Sequence, residues 1–186
     1  MNNLWKLFRP VLVSFVILSI LCGIIYPLAV TGIAQIIFPR QANGSIITVT
    51  LPDKTTKEYG STLIAQEFTE PKYLIGRPLG VTNLSPTSKE QEALVQERID
   101  WWHTLDLSNK ADIPEDLITA SGSGVDPNVS PTAAEYQVGR IARERNMSEA
   151  SVREIIKKYT TGRLLGFWGE PSVNVLKVNL ALDDLL

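Results

Sequence analysis

The residues of this chain that could do chemistry are few and scattered. His103 is the only histidine and Cys22 the only cysteine. That removes most zinc sites and the usual Ser-His-Asp or Cys-His catalysis, and it leaves neither a disulfide framework nor a CxxC pair. Ser121-Gly122-Ser123-Gly124 has the composition of a binding loop, because small residues let backbone N–H groups approach a phosphate. It lacks the Lys-Ser/Thr pair of a P-loop, and Gly122-x-Gly124 lacks the third glycine of a dinucleotide fold, so its residue types favour a structural turn. Trp101-Trp102 offers the surface on which a sugar ring stacks, but such a pair is more often core on one side and interface on the other. None of these residues assembles into an active site, so function must follow from where the chain is placed.

Placement is dictated by Val11 to Phe38, a stretch between Pro10 and Pro39 without a charged residue. As a helix it would run about 42 Å, whereas a hydrocarbon core of ~30 Å needs about 20 residues. Residues 11–38 are therefore expected to form a transmembrane helix (core about 11–31) with an extension. A signal peptide is the competing reading. Lys6 and Arg9 supply its basic start and Gly32-Ile33-Ala34 a cleavage site, but the apolar run continues through Ile36, Ile37 and Phe38, past a signal core. Lys6, Arg9 and the amino terminus precede the span and Arg40 follows it, which predicts a cytoplasmic N-terminus (1–10) and an extracytoplasmic domain (39–186). Ser19, Gly23, Pro27, Thr31 and Gln35 recur at every fourth position, a stripe of the small-xxx-small type on which membrane helices dock. Pro27 is expected to kink the helix and free a carbonyl.

The chain has 18 Lys and Arg, of which Lys6 and Arg9 lie in the first 38 residues; the 16 that remain face 20 Asp and Glu, a net of -4. An acidic domain argues against nucleic acid as a partner. The fold class expected after the helix is one mixed α/β (α+β) soluble domain. Ile46–Leu51 and Thr55–Tyr59 read as a hairpin around Pro52-Asp53-Lys54, and Tyr73-Leu74-Ile75 as a short extended piece. Helices are predicted over Lys89–Leu105, with Ser88 and Gln91 at capping-box spacing, and from Pro131 to Arg145 behind Ser130. A third is predicted over Glu149–Tyr159 behind Ser148, with Met147 and Val152 as a hydrophobic staple and Gly162 as the stop. Leu117–Ala120 is predicted as a buried strand, and Val173–Leu182, which alternates Leu176, Val178, Leu180 and Leu182, as a half-buried one.

Several blocks in the same order resemble the C subunit (KdpC) of the Kdp potassium-transporting P-type ATPase. They include Tyr26-Pro27-Leu28, Gln41-Ala42-Asn43-Gly44-Ser45, Gly60 to Phe68, Gly76-Arg77-Pro78, and Leu117 through Gly124 with Asp126. Ser130-Pro131, Gln137, Arg140, Gly169-Glu170-Pro171 and Asn179 to Asp183 continue the match. Members of that family commonly carry a Gly-Gly-Ser-Asn insertion after the Arg-Pro pair, which this chain lacks, and a proline where Gly139 stands. The resemblance implies a non-catalytic accessory subunit of an ATP-driven potassium importer. Its implied partners are a channel-like A subunit, an ATP-hydrolysing B subunit, a small F subunit and membrane lipid. Its implied roles are complex assembly and a catalytic chaperone that raises the ATP affinity of the ATPase subunit. No cofactor would be held tightly; ATP would be met in a transient complex, with Gln137, Ser121 and Ser123 as the candidate nucleotide contacts. A cytosolic nucleotide and an external domain conflict, so the domain would act through its helix or at the potassium entrance. The alternative is a membrane-anchored extracytoplasmic binding module without a transport partner; a secreted enzyme, the third possibility, would need cleavage near Ala34.

Overall fold

The computed structural model describes residues 2–186; Met1, whose amino group counts among the flanking charges, lies outside them. The chain divides into two units, the first ending at Ile46 and the second spanning Ile47–Leu186.

The first unit is helical. Helix α1 (Asn2–Ile20) leads through a π-helical turn, Leu21–Ile25, into α2 (Tyr26–Ile37) and the short α3 (Pro39–Ala42). The helix thus starts well before Pro10, which it carries inside, rather than at Val11. Among the described residues, Trp5–Ile37 is the stretch long and apolar enough to cross a membrane, 33 residues containing an 18-residue window with a mean hydropathy of 2.6, or about 50 Å of helix. From Trp5 to Phe38 every side chain is exposed except the half-buried Ala34. The disturbance expected at Pro27 takes the form of the π turn. Proline has no N–H for an α-helical bond and its ring crowds the preceding turn; the Tyr26 N–H reaches back five residues to the Leu21 carbonyl, the wider closure that relieves such crowding.

The second unit mixes helices with two small sheets. The hairpin β1 (Ile46–Thr50) and β2 (Thr56–Ser61) forms as expected, with Asp53 Oδ1 accepting from the Thr55 N–H across the turn at 2.9 Å. Helix α4 (Lys89–Leu105) follows, then the single turn α5 (Glu115–Ile118) and β3 (Asn128–Val129). Helices α6 (Pro131–Arg145) and α7 (Glu149–Lys158) lead to β4 (Thr160–Thr161), β5 (Ser172–Asn174) and α8 (Val175–Leu182). β5 lies between β3 and β4 and runs antiparallel to both, with Val129 opposite Val173 and Thr160 opposite Val173 on the other side. Against this sheet pack α6 and α8, with α7 packed on both helices, and the core joins Val129, Ala134, Val138, Ile141, Val152, Val173 and Val178 with Trp102 and Leu117.

Three sequence expectations are corrected. Leu117–Ala120 is not a strand: Glu115–Ile118 makes one helical turn that buries Leu117, a segment too short for periodicity to classify. Val173–Leu182 is a strand for its first two residues only. The Asn174 side chain accepts from the Lys177 N–H at 3.1 Å and caps α8, in which Val175, Leu176, Val178, Asn179, Leu180 and Leu182 are all buried. A helix buried nearly all round loses its 3.6-residue signature, so the chance alternation of leucines looked like a strand. Gly162 does not end α7. The helix stops at Lys158, because Thr160 and Thr161 are taken up by pairing with β5.

Candidate functional site

Gln137 lies on α6, four residues after Ala133 and four before Ile141, so it shares their buried face. It is 1% exposed, and both ends of its amide are occupied. Its Oε1 accepts from the Ile75 N–H at 2.8 Å and its Nε2 donates to the Ile75 carbonyl at 2.9 Å. Asn179 of α8 does the same one residue earlier, accepting from the Leu74 N–H at 2.8 Å and donating to the Leu74 carbonyl at 2.9 Å. Two side-chain amides therefore hold the extended segment 74–75 as a neighbouring strand would, each replacing one peptide unit. Buried backbone groups must find partners, and here helices supply them.

Arginines complete the clamp. Arg140, one turn beyond Gln137, donates to the carbonyls of Pro71 and Tyr73 and to Gln137 Oε1, the last at 2.6 Å. Burial pulls its guanidinium down to about 10, which still leaves it charged at neutral pH. Arg145 donates to the carbonyls of Lys72 and Leu182 and to Asp183 Oδ1, the last at 2.7 Å. The Tyr73 hydroxyl donates to the other Asp183 oxygen at 2.9 Å; burial, then this carboxylate, pushes its ionisation up. The five carbonyls of residues 71–75 and the N–H groups of Leu74 and Ile75 are thus all bound by side chains of α6 and α8. Of these residues, the sequence argument singled out Gln137 and quoted Arg140 and Asn179 only within the resemblance. Polar side chains inside an otherwise apolar helix face were the signal.

Ser121 is half-buried and Ser123 exposed, whereas Gln137 is buried, and the serine hydroxyls bond within their own loop rather than to Gln137. Their hydroxyls face each other at 3.3 Å; Ser121 Oγ accepts from the Gly124 N–H at 3.0 Å and Ser123 Oγ from the Val125 N–H at 3.2 Å. The loop also fixes its surroundings: the Gly80 N–H donates to the Gly124 carbonyl at 2.8 Å and the Ala65 N–H to that of Val125 at 2.9 Å. Gly124 has φ +69°, and a Cβ there would sit 2.6 Å from the Gly80 backbone. Backbone geometry and space both demand glycine. The two serine hydroxyls and the carbonyls of Ser121, Gly124 and Val125 are thus engaged inside the domain.

The tryptophan pair divides as its spacing predicts. Trp102 is buried and donates to the Leu117 carbonyl at 3.1 Å, with Tyr136 edge-on at 5.8 Å. Trp101 is exposed and borders a cavity of about 450 Å³ between α4 and the segments 66–69 and 75–79. Arg98 and Arg77 in its wall donate to the carbonyls of Ile118, Thr119 and Ala120, which satisfies the C-terminal end of α5.

The helical unit keeps the stripe together. Four residues overshoot one α turn by about 40°, so the row drifts around a regular helix. Across the wider π turn the same step falls short, and the drift is partly undone between Ser19 and Pro27. A Cβ on Gly23 or Gly32 would meet nothing within 4 Å. Gln35 leaves the row for its own partner, exchanging amide bonds with Asn43 at 3.1 and 3.3 Å, while Asn43 also donates to the Pro39 carbonyl at 2.6 Å.

A family model described as KdpC, the c chain of K+-transporting ATPase, matches residues 8–184. The chain is 54% identical over its full length to the potassium-transporting ATPase KdpC subunit of Listeria monocytogenes serovar 1/2a, covering 99% of that protein. It is 48% identical to the subunit of the same name in Clostridium perfringens, over 97% of this chain and 98% of the relative.

Proposed function

We propose that this chain, which belongs to the KdpC family of K+-transporting ATPase c chains, is the non-catalytic accessory subunit of an ATP-driven potassium importer, and that it promotes assembly of the complex and raises the nucleotide affinity of the ATP-hydrolysing subunit. The observation that carries this reading is the full-length match together with the one helix, among the described residues, that is long and apolar enough to span a membrane and whose side chains are exposed. The partners are a channel-like A subunit, an ATP-hydrolysing B subunit and a small F subunit, and the stripe Ser19-Gly23-Pro27-Thr31 with Gln35 is the face offered to them.

The N-terminus is cytoplasmic and the domain external, supported by Lys6 and Arg9 ahead of the span against Arg40 behind it. An external domain acts on cytosolic ATP indirectly, through its helix or at the potassium entrance. Support for the indirect route comes from Gln137, whose amide would have to release Ile75 before it could touch a nucleotide, and from the loop hydroxyls of Ser121 and Ser123, already engaged within their own turn.

The test is an engineered cysteine at the exposed Lys110, in a chain carrying Cys22→Ser, treated with a membrane-impermeant thiol reagent in intact cells. Labelling of intact cells is expected. Protection in intact cells with labelling only after lysis would overturn the topology and restore direct ATP contact.

A further inference from the structure

The connection between β4 and β5 ends in a tip for which the complex assembly reading has no use. Leu164, Leu165, Phe167 and Trp168 are 66%, 78%, 71% and 69% exposed. The tip is ordered by its own backbone: the Leu164 N–H donates to the Trp168 carbonyl at 2.8 Å and the Trp168 N–H returns the bond at 3.0 Å. Leu165 and Gly166, both at positive φ, turn the chain between them. The rings of Phe167 and Trp168 stack with their planes 27° apart. Two aromatic and two leucine side chains held this open to water, within five residues of one another, form an exposed apolar cluster of the kind that marks an interaction site.

We propose that this tip inserts into the interfacial layer of the bilayer to which the chain is anchored, and that it is guided there by anionic headgroups. The proposal rests on the membrane placement of the helix. Three features select lipid as the occupant. The tip from Leu164 to Gly169 carries no charge and combines tryptophan, phenylalanine and leucine, the residues of interfacial anchors. At the base of the same strand pair Lys158 and Lys177 line a cleft with Thr160, Thr161 and Ser172, and no carboxylate is among the residues lining it. Glu170, the acidic residue beside the tip, is paired with Arg163 at 2.8 Å. An uncharged apolar tip beside a cationic cleft is complementary to an anionic lipid surface.

The test uses the full chain, with Cys22→Ser and Phe167→Cys, labelled with an environment-sensitive fluorophore and reconstituted in nanodiscs containing phosphatidylglycerol and a headgroup-level nitroxide lipid. The tip label is expected to be quenched about two-fold or more, while a label at Lys110→Cys is not. Lys158→Gln and Lys177→Gln are each expected to lower the docked population up to about five-fold, the effect of removing one surface charge. An unquenched tip in incorporated chains overturns the proposal. So does quenching that needs the other subunits, which assigns the tip to a protein partner, and so does shielding that rises with chain density, which assigns it to a second copy. A chain that does not incorporate at all overturns the membrane reading itself, a result distinct from the others.

Discussion

The two units treat their polar groups in opposite ways. In the domain, Gln137, Arg140 and Asn179 are 1%, 3% and 1% exposed, and each is saturated by backbone groups of residues 71–75 or by one another. In the helix, Ser19, Gly23, Pro27 and Thr31 lie on an exposed face with no side chain of the described residues packed over them. Hydrocarbon offers such groups nothing, so a small or polar row in a spanning helix is complete only against another helix. A saturated cluster specifies the fold of the chain that contains it. Under the assembly role proposed above, the comparison puts the functional weight on the membrane helix rather than on the buried glutamine.

The comparison breaks most readily at Arg140. Arg140→Ala removes the donor to Pro71, Tyr73 and Gln137 and is expected to destabilise the domain by about 3–5 kcal/mol, because each buried acceptor left alone costs about 1–3 kcal/mol. Thermal unfolding of the purified chain in detergent measures it, and a loss under 1 kcal/mol would mean that the cluster is not structural. Gln137→Ala should cost about 2–4 kcal/mol, since it strands the N–H and carbonyl of Ile75. Any change in ATP affinity of the complex should then track the lost stability; a changed affinity at unchanged stability would return Gln137 to the nucleotide. Gly124→Ala is expected to cost about 2–3 kcal/mol, from a strained positive φ and from overlap with the Gly80 backbone.

The smallest effect sharpens the comparison at an ion pair between a buried carboxylate and a half-exposed arginine. Asp106 is buried, which works to raise its carboxyl, but hydrogen bonds from Ser108 and Arg143 outweigh burial and hold it below the ordinary carboxylate range. Its native value lies under its unfolded one, so its contribution is present above the ordinary range and lost as pH falls through the native value. Asp106→Asn should cost about 1 kcal/mol at pH 7, given that Arg143 is half exposed. Denaturant midpoints at pH 7 and in acid check this; a gap that fails to close in acid would remove the ion pair from the account.

Much of the domain was legible because its helices carry their own start signals. Ser88, Ser130 and Ser148 each accept from the N–H three residues on, and the span announces itself by length. Asn146 closes α6 in the left-handed region, as the break there required. What could not be read were contacts without a local signature. The partners of Gln137 and Asn179 lie 62 and 105 residues away, and no periodicity encodes them. α8 was hidden by its burial on all sides, and the π turn by the fact that Pro27 specifies a disturbance but not its form. The Leu164–Trp168 tip passed unnoticed because a short apolar run with a glycine fits no regular element.

Gly23→Leu tests the central claim most directly, because a Cβ at that position meets nothing within 4 Å beyond its own turn of helix. The measurement is co-purification of the other subunits with the tagged variant, alongside its unfolding midpoint. The account predicts a stability unchanged within about 0.5 kcal/mol and a recovery of partners reduced about ten-fold, since a bulky residue in a small-xxx-small row holds the helices apart. Full recovery of the partners with an equally stable chain would contradict it.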